Sequence, residues 1–379
     1  MQKREKFLPY STQWISDEDI EAVINTLKSP FLTTGPKVRE FEDMVAKYVD
    51  AKYAVSFANG TAALHAACYA AGIGKGDEVI TTPITFAASA NCIRYMDATV
   101  VFADIDEKTY NIDSKEIQKK ITSNTKAIIP VDFTGQPVDI DRIMEIAKEN
   151  NLIVIEDGAH SLGADYKNRK VGSTADMTMF SFHPVKPITT GEGGMIVTNN
   201  KDFYEKLILF RGHGIQQTDY SKSQGEWYYE MVDLGYNYRM TDIQAALGIS
   251  QMNKLDTFIG ERRKLAEVYH EKLKNINGVN APWQLKDTKS GWHLYSVQLD
   301  LPQLKKTRKQ IFEELRNNNI GAHVHYIPVY WHPYYEKLGY ERGLCPKAEK
   351  WYEQALTLPL HPQMTEEDVE YILERINRC

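Results

Sequence analysis

The chain has 379 residues, 42% apolar and 25% charged, with a net charge of −6, the profile of a soluble globular protein of one large or two moderate domains. No basic tract interleaved with aromatics suggests nucleic acid, and no apolar run approaches the roughly 18 residues of a membrane span. The start, Met1-Gln-Lys-Arg-Glu-Lys6, lacks an apolar signal core, and the scattered Cys68, Cys92, Cys345 and Cys379 fit neither a disulfide framework nor a zinc site, so a cytoplasmic protein without a metal is expected.

Ser16-Asp-Glu-Asp19 reads as an N-cap with an acidic first turn for a helix through Leu27. Pro30 to Pro36 breaks the chain before a second amphipathic helix over 38–49. Thr33-Thr34-Gly35-Pro36 reads equally as a ligand contact or as a plain interhelix turn. From Tyr53 onward strands and helices alternate. Short, continuous, largely apolar runs at 54–58, 78–82, 99–103, 127–131, 152–155, 177–182 and 194–198, several of them β-branched, give seven strands before residue 200, as expected for a mostly parallel sheet covered on both faces. The fold class is therefore α/β, with the ligand site at the carboxyl ends of the strands. A large domain over 16–255 and a smaller α+β domain over 256–379, joined by 1–15, follow from the change of pattern later in the chain. There, Gln216–Trp227 reads as a loop, Thr241 opens a long helix toward the 260s, and 292–299, 309–318 and 321–326 read as strand, helix and strand. His323 and His325 share one face of that last strand. With no acidic or cysteine partner nearby they read as structural histidines rather than metal ligands.

Four features carry chemistry. Asn59-Gly60-Thr61 turns a strand into a small-residue helix, leaving free N–H groups and a hydroxyl for an anion, or simply a capped helix. Phe86 falls at a strand-to-helix turn, where it packs in the core or stacks on a flat ligand. Asp157 ends the buried run Leu152–Ile155, with His160 three residues on; a carboxylate placed there needs a cationic or hydrogen-bonding partner. Lys186 sits in a turn-rich loop, Pro184-Val-Lys-Pro187 to Gly194, between two buried strands. Held rigidly near apolar walls, it loses its proton easily, and a neutral amine condenses with an aldehyde. Ser181, just before that loop, can join Gly60 and Thr61. An amine, an anion for a ring nitrogen, a phosphate site and a flat aromatic face together match pyridoxal phosphate. The glycine spacing of an NAD site is absent.

The ordered runs Leu32-Thr-Thr-Gly-Pro36, Asn59-Gly-Thr-Ala-Ala-Leu64, Glu156-Asp-Gly-Ala-His160, Ser181-Phe-His-Pro-Val-Lys186, Gly191-Glu-Gly-Gly194, Arg211-Gly-His-Gly214 and Gly235-Tyr-Asn-Tyr-Arg239 carry a resemblance. Across essentially its whole length the chain resembles the fold-type I, pyridoxal-phosphate-dependent sugar aminotransferases of the DegT/DnrJ/EryC1/StrS group. By position, the resemblance implies that Lys186 binds the cofactor's aldehyde and then shuttles protons. Asp157 would pair with the pyridine nitrogen, and His160, where many relatives have glutamine, with the phenolic oxygen. Phe86 would stack on the ring, and Gly60, Thr61 and Ser181 would hold the phosphate. Asn237 would reach a neighbouring subunit's phosphate, which implies a homodimer with shared sites. Thr33, Thr34, His183, Tyr238, Arg239, His325 and Tyr326 would face the sugar nucleotide, with His293 and Tyr295 nearby.

Lys186 sets the chain apart from relatives that carry histidine there and remove a hydroxyl. The run Ser181–Thr190 most resembles members that aminate carbon 4 of UDP-linked 4-keto-6-deoxy sugars. The implied substrate is UDP-2-acetamido-2,6-dideoxy-β-L-arabino-hexos-4-ulose, of the pseudaminic acid route, with L-glutamate as donor and 2-oxoglutarate as by-product. A D-configured UDP-4-keto sugar of the legionaminate or bacillosamine type is the alternative. Intact Lys186 and Asp157 speak against a cofactor-binding sensor or scaffold.

Overall fold

The structure, a computed structural model, describes residues 3–378. The first two residues of the expected signal-free start and the fourth cysteine, Cys379, lie outside the described residues. Seven strands form one sheet: β1 (Tyr53–Phe57), β2 (Glu78–Thr81), β3 (Thr99–Phe102), β4 (Thr125–Ile129), β5 (Ile153–Asp157), β6 (Met177–Ser181) and β7 (Gly194–Thr198). Their order across the sheet is β1-β7-β6-β5-β4-β2-β3, and β7 alone runs against its neighbours. Each lies within two residues of an expected run, because side chains such as Val55, Ile80, Ile128, Val154 and Met179 are buried from both faces. The helix Gly60–Ala70 lies against this sheet. Its Ala62, Ala63, Ala66, Ala67 and Ala70 are all buried, so small side chains let it approach closely.

A second core, with Tyr269, Tyr295, Val297, Leu315, Leu356 and Ile372, surrounds a three-stranded sheet of Val279–Asn280, Tyr295–Leu299 and Ala355–Leu358. Leu8, from the start of the chain, packs into it. The two cores interlock. Helix Leu255–Leu273 buries Leu255, Phe258 and Ile259 beside the large sheet and Leu265, Tyr269 and Leu273 in the second core. Later, Val329, Tyr330, Tyr335 and Trp351 return to the large core, where Trp351 stacks on Tyr110 and Tyr330 meets Phe102. Among the described residues, no helix is long and apolar enough to cross a membrane.

Three expectations about the later chain need correction. Residues 321–326 are not a strand. Only His323 bridges Thr357, after which the chain leaves the small sheet's edge and carries His325 and Tyr326 to the cavity described below. The expected loop at 216–227 holds a short helix, Asp219–Gln224, capped by Thr218 and flanked by a two-stranded ribbon, Ile215–Gln216 with Glu230–Met231. The long helix is two, Asp242–Met252 and Leu255–Leu273, parted at Asn253 and Lys254.

The Thr33–Pro36 turn has a structural anchor. The buried Asp242 carboxylate accepts hydrogen bonds from the Gly35 and Lys37 N–H groups at 2.7 and 2.9 Å, at the start of helix Pro36–Tyr48. Asp242→Ala leaves both amides without this acceptor, and about 1–3 kcal/mol of stability should be lost, read from urea unfolding midpoints at unchanged slope.

Candidate active site

A cavity of ≈ 1130 Å³ opens at the carboxyl ends of the strands. Gly60 and Thr61 reach it from the turn after β1, Phe86 from the turn after β2, Asp157 and His160 from the end of β5, and Ser181, His183 and Lys186 from the end of β6 and its loop. Tyr238, His325 and Tyr326 complete the expected residues that line it. Thr33, Thr34, Asn237 and Arg239 do not. The first three are exposed and Arg239 is half-buried, away from this chain's own cavity.

At the Asn59–Thr61 turn, the Asn59 side chain accepts from the Ala62 N–H and the Asn59 carbonyl from the Ala63 N–H. That leaves the Gly60 and Thr61 amides at the helix N-terminus for an anion. The turn sits hard against β7: a Cβ on Gly194 would lie 2.5 Å from the Asn59 carbonyl oxygen. A Cβ on Gly60 would lie 3.4 Å from Ser181 Oγ, which places that hydroxyl beside the free amides.

Asp157 Oδ2 accepts from the Ser89 hydroxyl at 2.6 Å and Oδ1 from the Ala159 N–H at 3.1 Å. Burial still pushes its carboxyl up, against the pull of these bonds and of the Lys186 charge. Behind it, Glu156 is raised to about 7 by burial. Lys186 has its amine lowered to about 8 by burial, with Asp157 opposing that shift. Its loop is closed on itself: the Phe182 N–H donates to the Gly193 carbonyl, the Thr190 N–H to that of Phe182, and the Lys186 N–H to that of His183. His160 is held neutral, chiefly by burial. Its Nε2 is 3.4 Å from the Tyr326 hydroxyl, and its buried Nδ1 has no hydrogen-bond partner. Among the described residues, no cluster of three or more His, Cys, Asp or Glu side chains has a metal-binding arrangement.

Two contacts are not expected from the sequence. Ser89 holds Asp157 from the helix Ala88–Tyr95, and His293, which the resemblance puts near the sugar nucleotide, places Nε2 3.5 Å from Lys186 Nζ. Ser89 had a weak signal in its place one turn after Phe86. His293 had none in spacing, since it stands 107 residues from the lysine.

A sheet with one reversed strand, a lysine with its amine lowered to about 8 on the loop entering that strand and an acid at the end of β5 match the fold-type I class of pyridoxal-phosphate enzymes. Residues 13–377 match the model of the DegT/DnrJ/EryC1/StrS aminotransferase family, and the chain belongs to that family. It is a pyridoxal-phosphate-dependent aminotransferase. The spore coat polysaccharide biosynthesis protein SpsC of Bacillus subtilis is 43% identical over 380 residues, covering 99% of this chain and 98% of SpsC. The UDP-4-amino-4,6-dideoxy-N-acetyl-β-L-altrosamine transaminase of Campylobacter jejuni is 40% identical over 373 residues, covering 97% of this chain and 96% of that enzyme. Spr1654 of Streptococcus pneumoniae, solved in PMP and PLP forms, superposes with TM-scores of 0.93 and 0.91 at 32% identity, over 98% of both chains.

The cavity fits the cofactor on its own evidence. It offers two free amides for a phosphate, a buried carboxylate with no bonded cation, an imidazole nitrogen without a partner, and an amine close to neutrality. In cofactor-free protein, Lys186 should react with a small amine-directed reagent along a titration centred near pH 8. Ordinary lysines should titrate near 10.4, the two being separable by peptide mass spectrometry across a pH series.

Proposed function

We propose that the chain transfers the amino group of L-glutamate to carbon 4 of a UDP-linked 4-keto-6-deoxy-hexose. The substrate best supported is UDP-2-acetamido-2,6-dideoxy-β-L-arabino-hexos-4-ulose, giving UDP-4-amino-4,6-dideoxy-N-acetyl-β-L-altrosamine for pseudaminic acid synthesis. The observation that carries the reaction is the Lys186 amine, lowered to about 8 in a cavity it shares with Asp157. The sugar rests on the resemblance of the Ser181–Thr190 run and on the Campylobacter relative's name.

Bound pyridoxal phosphate supplies an aldehyde that carries nitrogen between the two half-reactions and a ring that accepts electrons. Lys186 Nζ, when not bonded to the cofactor, would take the α-carbon proton of glutamate and, in the reverse half, deliver a proton to carbon 4 of the sugar; water is consumed as glutamate becomes 2-oxoglutarate and released as the sugar's keto oxygen leaves. Asp157 would pair with the ring nitrogen and keep its proton in place. His160 would meet the phenolic oxygen, and Phe86, 63% exposed in the cavity, would cover the ring. Gly60, Thr61 and Ser181 would hold the phosphate. His183, Tyr238, His325 and Tyr326 contact the sugar nucleotide. Thr33, Thr34, Asn237 and Arg239 lie outside this chain's cavity, which supports giving them to the site of a second subunit in a homodimer.

A second reading keeps the same chemistry and moves it to a D-configured UDP-4-keto-6-deoxy-GlcNAc of the legionaminate or bacillosamine type. Purified protein with pyridoxal phosphate, glutamate and each 4-keto epimer separates the two, with products identified by NMR. A 4-amino sugar of altro configuration from the L-arabino epimer, lost in Lys186→Ala, is the expected result; turnover of the D-xylo epimer alone would move the assignment to the second reading. Shared sites have their own test. Lys186→Ala and Asn237→Ala chains are each expected to be nearly inactive. Dissociated and reassembled in equal amounts they should recover about a quarter of wild-type activity, since about half the dimers are then mixed, each with one intact site.

A further inference from the structure

The Lys186 loop is built on a group that the reaction as set out above does not use. Arg262 is 1% exposed, and its hydrogen-bond partners are all neutral oxygens. Nη1 donates to the carbonyls of Leu360 at 2.7 Å and of Trp292 and His293 at 3.3 Å, while Nη2 donates to Ser11 Oγ at 3.3 Å. Ser11 in turn donates to the Val185 carbonyl, next to Lys186. One guanidinium thus fixes the backbone under His293 and, through one hydroxyl, the backbone beside the lysine. From the other side, Leu294 N–H donates to the Thr134 carbonyl, and Gly135 is so close that a Cβ there would lie 3.0 Å from His293 N. The His293 ring packs against the His160 ring, centroids 4.4 Å apart; its one side-chain hydrogen-bond contact is Lys186 Nζ at 3.5 Å, the outer limit of a hydrogen bond, and its buried Nδ1 has no partner.

Building on the reading of Lys186 as the reactive lysine, we propose that His293 is a positioning residue for Lys186: its unprotonated Nε2 accepts from the lysine amine and holds it in the cavity whenever that amine is not bonded to the cofactor. A lysine ammonium offers only donors, so the imidazole beside it must present a lone pair and carry its own proton on Nδ1. The charges facing the ring favour this. Besides burial, Lys186, His160, Arg262 and His325 all oppose a charge on His293, so it stays neutral while the lysine is protonated.

The test needs no turnover and no cofactor, so it stands or falls apart from the assigned reaction. In full-length cofactor-free protein, ¹⁵N NMR of labelled histidine below pH 8 should show His293 as the neutral tautomer with the proton on Nδ1. The pH midpoint of Lys186 labelling should fall by about one unit in His293→Leu, which removes the acceptor, and stay near wild type in His293→Gln, which retains an acceptor oxygen. A proton on Nε2 in the wild type, an unmoved midpoint in His293→Leu, or equal shifts in both variants would each overturn the proposal. If the leucine variant does not fold, the tautomer in the wild type alone decides it.

Discussion

Lys186 and Asp157 attract one another across the cavity without spending that attraction on each other. Asp157 is held by Ser89 and the Ala159 amide, and Lys186 faces His293. Had the two closed into an ion pair, the amine would stay charged and the carboxylate would be lost to any incoming cation. Keeping them apart costs free energy that the surrounding backbone has to supply, and much of the architecture reads as the means of doing so. Parallel strands end together, their loops meet in one place, and the reversed β7 returns the lysine loop to the sheet next to the turn after β1.

The same logic explains the glycines. Gly194 lets β7 touch the Asn59–Gly60 backbone, which brings the free amides and Ser181 together. Arg211–Gly214 and Gly235–Arg239 pack face to face. A Cβ on Gly214 would lie 1.7 Å from the Asp233 carbonyl oxygen, and one on Gly235 2.2 Å from Gly214 N. This paired strip is fastened to the anion turn by the Ala58 N–H, which donates to the Tyr238 carbonyl. Two runs far apart in sequence therefore set the position of one turn.

The sheet was legible because strands buried on both faces leave short, continuous apolar runs between turn residues, and all seven did. Lys186, Asp157 and the Gly60-Thr61 turn were legible because each closes or follows such a run. What escaped was nonlocal. His293 meets Lys186 only because Arg262 and Gly135 bring a distant loop back, and no periodicity records that. Residues 321–326 alternate like a strand, yet the small sheet accepts only His323 and the rest goes to the cavity. The long helix after Thr241 was misjudged at its middle, where nothing as strong as a proline marks the break at Asn253 and Lys254.

The return of Val329–Trp351 to the large core has a consequence for the chain as it is made. Phe102, Tyr110 and Phe133 pack against aromatic partners synthesised some 200 residues later. At roughly 5–20 residues per second, that aromatic surface waits on the order of ten to forty seconds for its cover. During that interval a sheet otherwise close to complete carries an open apolar patch on the nascent chain, which makes residues 329–351 the closing step of the large core.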